Sequence, residues 1–243
     1  MRSVERNGPA AADPGTGAAP WLPADPVVER LELGSGAWVD VVRGLVPDAD
    51  AVHDELADSV TWTQGRVYRY ERWIPEPRLS GQPPRGRTHP ALVEAQHWIE
   101  RRYRVTFDGV ALARYRDGRD SVAWHRDREL RWLEETVIGV LSLGARRPFL
   151  LRPLSGRRME ADDPTDVLDL SPAGGDLLVM GGRCQAACLH AVPKLPAHQR
   201  VPSRISAQWR WTSRRGRPDM NRSYYAPRLF GMGTGPTRRA GSR

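Results

Sequence analysis

Apolar residues recur at helical spacing in two stretches of the first half of the chain. The first stretch is 36–47 and the second is 89–103. Thr88 is placed to cap the second stretch, and Pro90 falls in its first turn, where a missing N–H is harmless. The pattern therefore predicts two helices. Their apolar positions are Trp38, Val42, Leu45 and Val46 in the first stretch, and Leu92, Trp98, Ile99 and Tyr103 in the second.

From about residue 107 the pattern changes to short apolar runs separated by turn residues. Such runs are typical of strands, and Asp117-Gly118 is typical of hairpin turns. Several short strands after a helical lead predict a mainly β fold with flanking helices, built as a β-sandwich or jelly roll. The predicted strands are Val110–Tyr115, Val137–Leu143, Phe149–Leu151, Asp176–Met180 and Arg204–Trp211.

The two ends of the chain differ in composition from its middle. Residues 1–25 are rich in Ala, Pro and Gly, and residues 213–243 are basic and rich in Gly and Arg, so we interpret both as tails of one domain at 26–212. No apolar run is long enough to span a membrane, and the N-terminus lacks the apolar segment of a signal peptide. Only two cysteines are present, Cys184 and Cys188, which favours a reducing compartment. A cytoplasmic protein is expected.

The chain is strongly basic. It carries a formal charge of +8, and all but one of its 37 basic residues are arginine. The guanidinium group binds phosphate through a planar fork, which suits a nucleic-acid partner. A GC-rich genome would enrich Arg, Ala, Gly and Pro together as well, so composition alone leaves both explanations open.

The sequence His125-Arg126-Asp127 offers a metal site. In a strand, His125 and Asp127 would point to the same face, so one imidazole and one carboxylate can meet one ion. His190 follows a strand-like segment and is the best candidate for a third ligand. Two histidines and one carboxylate form the facial triad of non-heme Fe(II) oxygenases, which leaves adjacent positions open for a cosubstrate and dioxygen.

Two other interpretations of these residues stay open. His-Arg-Asp also begins the catalytic loop of protein kinases, but the glycine-rich loop and the Asp-Phe-Gly motif are absent from this chain. Cys184, Cys188 and His190 would suit zinc, but the cluster lacks a convincing fourth ligand.

The segment Arg204–Arg210 alternates polar with apolar residues. As a strand, it would place two arginines on one face together with Ser206 and Gln208. That face is either exposed to water or points into the fold. In the second case a dicarboxylate ligand would neutralise the two cations.

Three stretches together resemble the AlkB family of Fe(II)/2-oxoglutarate dioxygenases: Ala113–Glu129, Gly175–Lys194 and Arg204–Arg210. The family pattern is Asn-x-Tyr, His-x-Asp, a distant His, and two arginines six residues apart. The resemblance implies a double-stranded β-helix at about 107–212 beneath a nucleotide-recognition lid at about 60–85. It also implies iron(II) as the metal, with 2-oxoglutarate and O2 as cosubstrates.

The same resemblance assigns roles to single residues. The three metal candidates would hold iron. Tyr115 and Arg204 would bind the distal carboxylate of 2-oxoglutarate, and Arg210 would hold its keto-acid end. Glu129 would read the exocyclic nitrogen of a damaged base. Ala113 stands where the family has asparagine, which removes one amide contact to the cosubstrate.

The activity implied is oxidative removal of N-alkyl groups from DNA or RNA bases, typically 1-methyladenine and 3-methylcytosine. The segment Trp62–Arg78 interleaves aromatic residues with arginine, which suits base stacking and phosphate binding, and Tyr70 and Trp73 are predicted to cover the base. Aromatic core packing at a helix–strand junction would give the same pattern. The alternatives are an oxygenase acting on a protein or small molecule, and a non-catalytic relative that binds nucleic acid. A monomer without a membrane partner is expected.

Overall fold

The computed structural model describes residues 19–69, 71–84, 86–127, 130–154 and 166–215. Within these ranges the chain forms two main sheets, a separate two-stranded hairpin and three helices. The predicted mainly β fold with flanking helices is therefore confirmed. In the same ranges, no helix is long and apolar enough to cross a membrane.

The elements in chain order are β1 (Glu29–Gly34), β2 (Ala37–Val42), α1 (Ala49–Ser59), β3 (Arg66–Arg69), β4 (Arg72–Pro75), β5 (Leu79–Gly81), α2 (Pro90–Tyr103), β6 (Ala111–Tyr115), β7 (Val122–His125), β8 (Thr136–Gly144), β9 (Leu150–Pro153), β10 (Leu168–Asp169), β11 (Leu177–Gly182), α3 (Cys184–Ala187), β12 (Cys188–Val192) and β13 (Arg204–Thr212). The larger sheet has the order β1-β2-β11-β8-β13-β6-β5, and the smaller has the order β10-β9-β12-β7. From β6 onward the chain passes back and forth between the two sheets. This is the path of the predicted double-stranded β-helix.

Apart from its edge strand β1, the larger sheet is largely buried on both faces. One face packs against α1 and α2 in a core that contains Leu56, Ile99 and Trp209. The other face turns towards the smaller sheet, and a second core between the sheets contains Ile138 and Leu151. Charged side chains on this inner face are therefore removed from water and need partners within the fold.

The helix predicted at 36–47 is wrong. The strand β2 occupies half of that stretch, and α1, which the apolar spacing does not predict, begins only at Ala49. β2 lies between two other strands and nearly all of its side chains are buried. Its apolar residues consequently do not alternate with polar ones, and they imitate helical spacing. A tight turn precedes β2, in which Gly34, Ser35 and Gly36 all have left-handed backbone.

The helix predicted at 89–103 is confirmed by α2, but its cap differs. His89, not Thr88, precedes the first turn, and its ring Nδ1 accepts a hydrogen bond from the Ala91 N–H at 3.1 Å. The five predicted strands are confirmed by β6, β8, β9, β11 and β13, with ends that differ by one or two residues. The hairpin predicted at Asp117-Gly118 is wrong, because this turn leads from β6 in one sheet to β7 in the other.

Several predictions fall partly outside the described residues. Tyr70 and Glu129 lie outside them, as do residues 1–18 and 216–243. The predicted tails and domain limits stay predictions. The predicted lid segment contains the β3–β4 hairpin and β5.

Candidate metal and cosubstrate site

Strand pairing in the smaller sheet brings the two candidate histidine ligands together. His125 ends β7, and in the antiparallel pairing its direct partner on β12 is His190. Their ring centroids are 4.2 Å apart. Asp127 lies just beyond the end of β7, and ligand atoms of all three side chains lie within 4.8 Å of one another. The structure thus places the three predicted ligands around one point.

The imidazole nitrogens are oriented towards one carboxylate oxygen. The Nε2 atoms of His125 and His190 lie 3.5 Å and 3.8 Å from Oδ1 of Asp127. The Nδ1 of His125 is 2.9 Å from the carbonyl oxygen of Ala123, to which it can donate only when protonated. This bond leaves the Nε2 lone pair of His125 available for a metal ion.

Burial and charge set the protonation states of this cluster. Burial alone would raise the pKa of Asp127, but the Arg210 guanidinium and the two imidazoles outweigh it and hold that pKa well below its usual range. Burial, assisted by His125, lowers the pKa of His190 to about 3. At neutral pH the carboxyl group is therefore ionised and the His190 imidazole is neutral. These are the forms that bind a divalent metal.

Two further side chains hold Asp127. The Nε of Arg210 donates to Oδ2 of Asp127 at 2.8 Å, and both groups are buried. The backbone N–H of Asp127 donates to Oε1 of Gln185 at 2.9 Å. Sequence reasoning did not single out Gln185. Arg210 is at the metal end of the site, so its predicted contact with the keto-acid end of 2-oxoglutarate stays a prediction.

The predicted cosubstrate residues lie opposite each other in the larger sheet. Tyr115 on β6 pairs directly with Arg204 on β13. Arg204 is 1% exposed, and its guanidinium carbon lies 5.4 Å from the centre of the Tyr115 ring. Its Nη2 donates to the hydroxyl of Ser142 at 2.8 Å. Of the two alternatives for this face of β13, the structure shows the inward one, because Arg204 and Arg210 are both buried.

The guanidinium group of Arg204 is incompletely satisfied. Its Nε and Nη1 are buried and find no hydrogen-bond partner among the described residues. Burial lowers the pKa of Arg204 to about 10. A buried cation with unused donors fits an anionic ligand, because a carboxylate would supply both the charge and the acceptors.

A single cavity joins the metal cluster to Arg204. Its wall combines polar with apolar side chains. The polar lining residues are Arg78, Tyr115, His125, Asp127, His190, Arg204, Ser206 and Gln208, and the apolar ones are Val122, Ile138, Val140, Phe149, Met180 and Val192. The two histidines and the carboxylate in this cavity fit an iron(II) ion. The unsatisfied guanidinium fits one carboxylate of a dicarboxylate cosubstrate.

The β3–β4 hairpin, which lies in the predicted lid segment, carries exposed aromatic side chains. Tyr68 on β3 and Trp73 on β4 are directly paired, and each is 50% exposed. Their rings meet edge to face, with centroids 5.5 Å apart. The alternative explanation of this segment, aromatic core packing, therefore does not hold for these two residues. Arg78, which lines the cavity, follows β4 closely in the chain.

Comparisons with known proteins agree with this geometry. Residues 46–215 match the family model of the 2OG-Fe(II) oxygenase superfamily. The chain is 31% identical to alpha-ketoglutarate-dependent dioxygenase alkB homolog 3 of Mus musculus over 169 residues, which cover 64% of this chain and 59% of the relative. It is 30% identical to the Homo sapiens homolog 3 over 65% of this chain and 59% of that protein. It is 29% identical to DNA oxidative demethylase ALKBH2 of Bos taurus over 60% and 59% of the two chains. The chain thus spans about three fifths of the length of these relatives.

Proposed function

Because the chain belongs to the 2OG-Fe(II) oxygenase superfamily, we propose that it is an AlkB-type dioxygenase that removes N-alkyl groups oxidatively from DNA or RNA bases. The expected lesions are of the 1-methyladenine and 3-methylcytosine type. The observation that carries the proposal is one cavity with the His125–Asp127–His190 cluster at one end and the unsatisfied Arg204 guanidinium at the other. The names of its relatives, alkB homolog 3 and ALKBH2, support the same activity.

The residues of the cavity would have different roles in the reaction. When bound, iron(II) with 2-oxoglutarate and dioxygen supplies the oxidising chemistry. His125, Asp127 and His190 would hold the ion, and Arg210 keeps the Asp127 carboxylate in place and ionised. Arg204 and Tyr115 would hold the distal carboxylate of the cosubstrate. The apolar wall between the two ends excludes bulk water from the reacting groups.

Nucleic acid is the proposed substrate because of the lid. Half-exposed Tyr68 and Trp73 form an aromatic platform on a hairpin that also carries Arg66 and Arg72. Aromatic side chains stack on bases of any identity, and arginine holds the phosphates on either side. A base in a duplex must be flipped out to reach a buried site of this kind. The predicted roles of Tyr70 and Glu129 in covering and reading the base belong to the same proposal.

The test is a product assay on a broad substrate panel. Protein loaded with iron(II) and 2-oxoglutarate is incubated with single- and double-stranded oligonucleotides that carry different methylated bases. Mass spectrometry measures the restored bases, and succinate formation measures cosubstrate use. We expect both products together. Succinate formed with a protein or metabolite substrate, and no restored base in any oligonucleotide, would contradict the nucleic-acid assignment.

We also propose that the protein acts in the cytoplasm as a monomer. Both cysteines, Cys184 and Cys188, are buried free thiols, as expected in a reducing compartment. Sedimentation at assay concentrations measures the oligomeric state. A single species of about twice the mass of the chain would contradict the monomer.

A further inference from the structure

We infer that Gln185 is a positioning residue for the metal site. Its side-chain amide fixes the backbone of Asp127 and thereby sets how tightly the three ligands bind an ion. The inference rests on the proposed metal site and assigns a role to a residue outside the ligand set.

The three candidate ligands are held in different ways. His125 and His190 face each other on paired strands, so the sheet fixes their backbones. Asp127 lies past the end of β7, where the chain has left the sheet. Its position therefore depends on a backbone hydrogen bond from the Leu130 N–H to its carbonyl and on side-chain contacts from neighbouring elements.

Two side chains supply these contacts from opposite ends of Asp127. Arg210 binds the carboxylate through Oδ2, and Gln185 accepts the backbone N–H at 2.9 Å. Because a backbone nitrogen can only donate, the oxygen of the Gln185 amide must face Asp127. The Nε2 of Gln185 then lies 4.0 Å from Sδ of Met180. Gln185 is completely buried, so its amide has little room to turn away from Asp127.

Gln185 also connects Asp127 to the third ligand. It lies in α3, a single helical turn between β11 and β12, and β12 carries His190. The backbone of this turn is held by bonds from Ala186 N and Ala187 N to the carbonyl of Arg183. The hydrogen bond from Asp127 therefore ends on a fixed part of the chain, close in sequence to His190.

Contacts of this kind orient metal ligands. Loss of an outer contact typically lowers metal affinity or activity about 10–100-fold. We expect the same range for Gln185, because without its oxygen the buried N–H of Asp127 loses its acceptor and the ligand shifts to find another.

The test measures metal affinity without turnover. Mn²⁺ serves as a redox-stable probe, and electron paramagnetic resonance of the free ion gives the Kd. Gln185→Leu is expected to bind Mn²⁺ about 10–100-fold more weakly than the unaltered protein. Gln185→Glu keeps an acceptor oxygen whether or not it is protonated, so its affinity is expected to stay close to that of the unaltered protein.

A control separates positioning from a general loss of stability. Leu56→Ala removes a buried side chain from the core on the opposite face of the larger sheet. It should lower the Tm and leave the Kd of the folded protein unchanged. All titrations are made at a temperature where circular dichroism shows each variant to be folded.

Three results would overturn the inference. The first is that Gln185→Leu retains the affinity of the unaltered protein. The second is that Gln185→Glu loses as much affinity as Gln185→Leu, and the third is that Leu56→Ala loses as much as either. An unaltered protein that binds no Mn²⁺ would overturn the proposed metal site itself. That result is distinguishable because it is seen before any variant is compared.

Discussion

Replacing Arg204 with methionine should separate the stability of the protein from its ability to hold a cosubstrate. Arg204 is buried, two of its nitrogens find no partner among the described residues, and burial lowers its pKa to about 10. A shift of this size corresponds to about 3 kcal/mol against the charged form. Methionine fills a similar space without a charge, so the variant does not bear the free-energy cost of burying a cation.

The variant also loses two favourable contacts. The hydrogen bond from Arg204 to Ser142 contributes about 1 kcal/mol. The contact of the guanidinium with the Tyr115 ring contributes about 1 kcal/mol. The balance predicts that Arg204→Met without 2-oxoglutarate is more stable than the unaltered protein by about 1 kcal/mol.

Saturation with 2-oxoglutarate should reverse this order. A ligand present at a hundred times its Kd adds about 3 kcal/mol to the free energy of unfolding. Only the protein that retains Arg204 should gain this stability, because the variant has no cation for the distal carboxylate. Urea unfolding followed by circular dichroism, with Mn²⁺ throughout and without oxygen, measures all four conditions.

Arg147→Met is the matched control. Arg147 is equally buried, but only its Nε lacks a partner among the described residues, while Nη1 donates to the carbonyl of Asp117 at 2.8 Å and Nη2 to those of Asp120 and Pro193 at 3.0 and 2.8 Å. Its removal should destabilise the protein with or without 2-oxoglutarate, since three buried or partly buried carbonyls lose their donor. The reasoning is refuted if Arg204→Met without ligand is clearly less stable than the unaltered protein. It is also refuted if 2-oxoglutarate stabilises both proteins equally.

Three further predictions concern the metal, acid stability and the lid. Asp127→Ala should abolish Mn²⁺ binding and succinate formation, because a methyl group cannot ligate; retained binding would exclude Asp127 as a ligand. The pKa of His190 is about 3 in the folded protein, whereas an ordinary histidine has a pKa of 6.5. The metal-free protein should therefore keep its full stability above pH 6.5 and lose stability as the pH drops towards 3. The urea midpoint should fall across that range, and it should fall less in His190→Gln than in the unaltered protein. Equal falls in the two proteins would contradict the lowered pKa of His190. Trp73→Ala should weaken binding of a methylated oligonucleotide by about 1–3 kcal/mol with little change in Tm, and a lower Tm with unchanged affinity would make Trp73 a packing residue.

The sequence predicts the strands around the site better than it predicts β2, which lies next to the edge of the larger sheet. β13 alternates polar and apolar residues because its two faces meet different surroundings, the cavity and the helices. Period-two alternation is therefore visible in its residues. β2 has buried side chains on both faces, which removes the alternation and leaves a pattern that fits a helix equally well.

The three candidate metal ligands lie together as predicted, but one of them does so for a different reason. Strand alternation pairs His125 with Asp127 on one face, but Asp127 lies beyond the strand and reaches the cluster through its contacts with Arg210 and Gln185. Gln185 is 58 residues from Asp127 in sequence, and Ser142 is 62 residues from Arg204. Contacts over such separations depend on how the sheets pack. No local pattern could have indicated them.

The site is divided between the two sheets, and one ion pair joins its halves. His125 and His190 belong to the smaller sheet, whereas Tyr115 and Arg204 belong to the larger one. Asp127 extends from a strand of the smaller sheet and binds Arg210 on β13 of the larger. Each partner offsets the cost of burying the other, and the pair also keeps the carboxylate ionised. Packing of the two sheets thus does more than close the core. It brings an ionised carboxylate and a neutral imidazole together before any ion binds, so the ion does not have to displace a proton from either group.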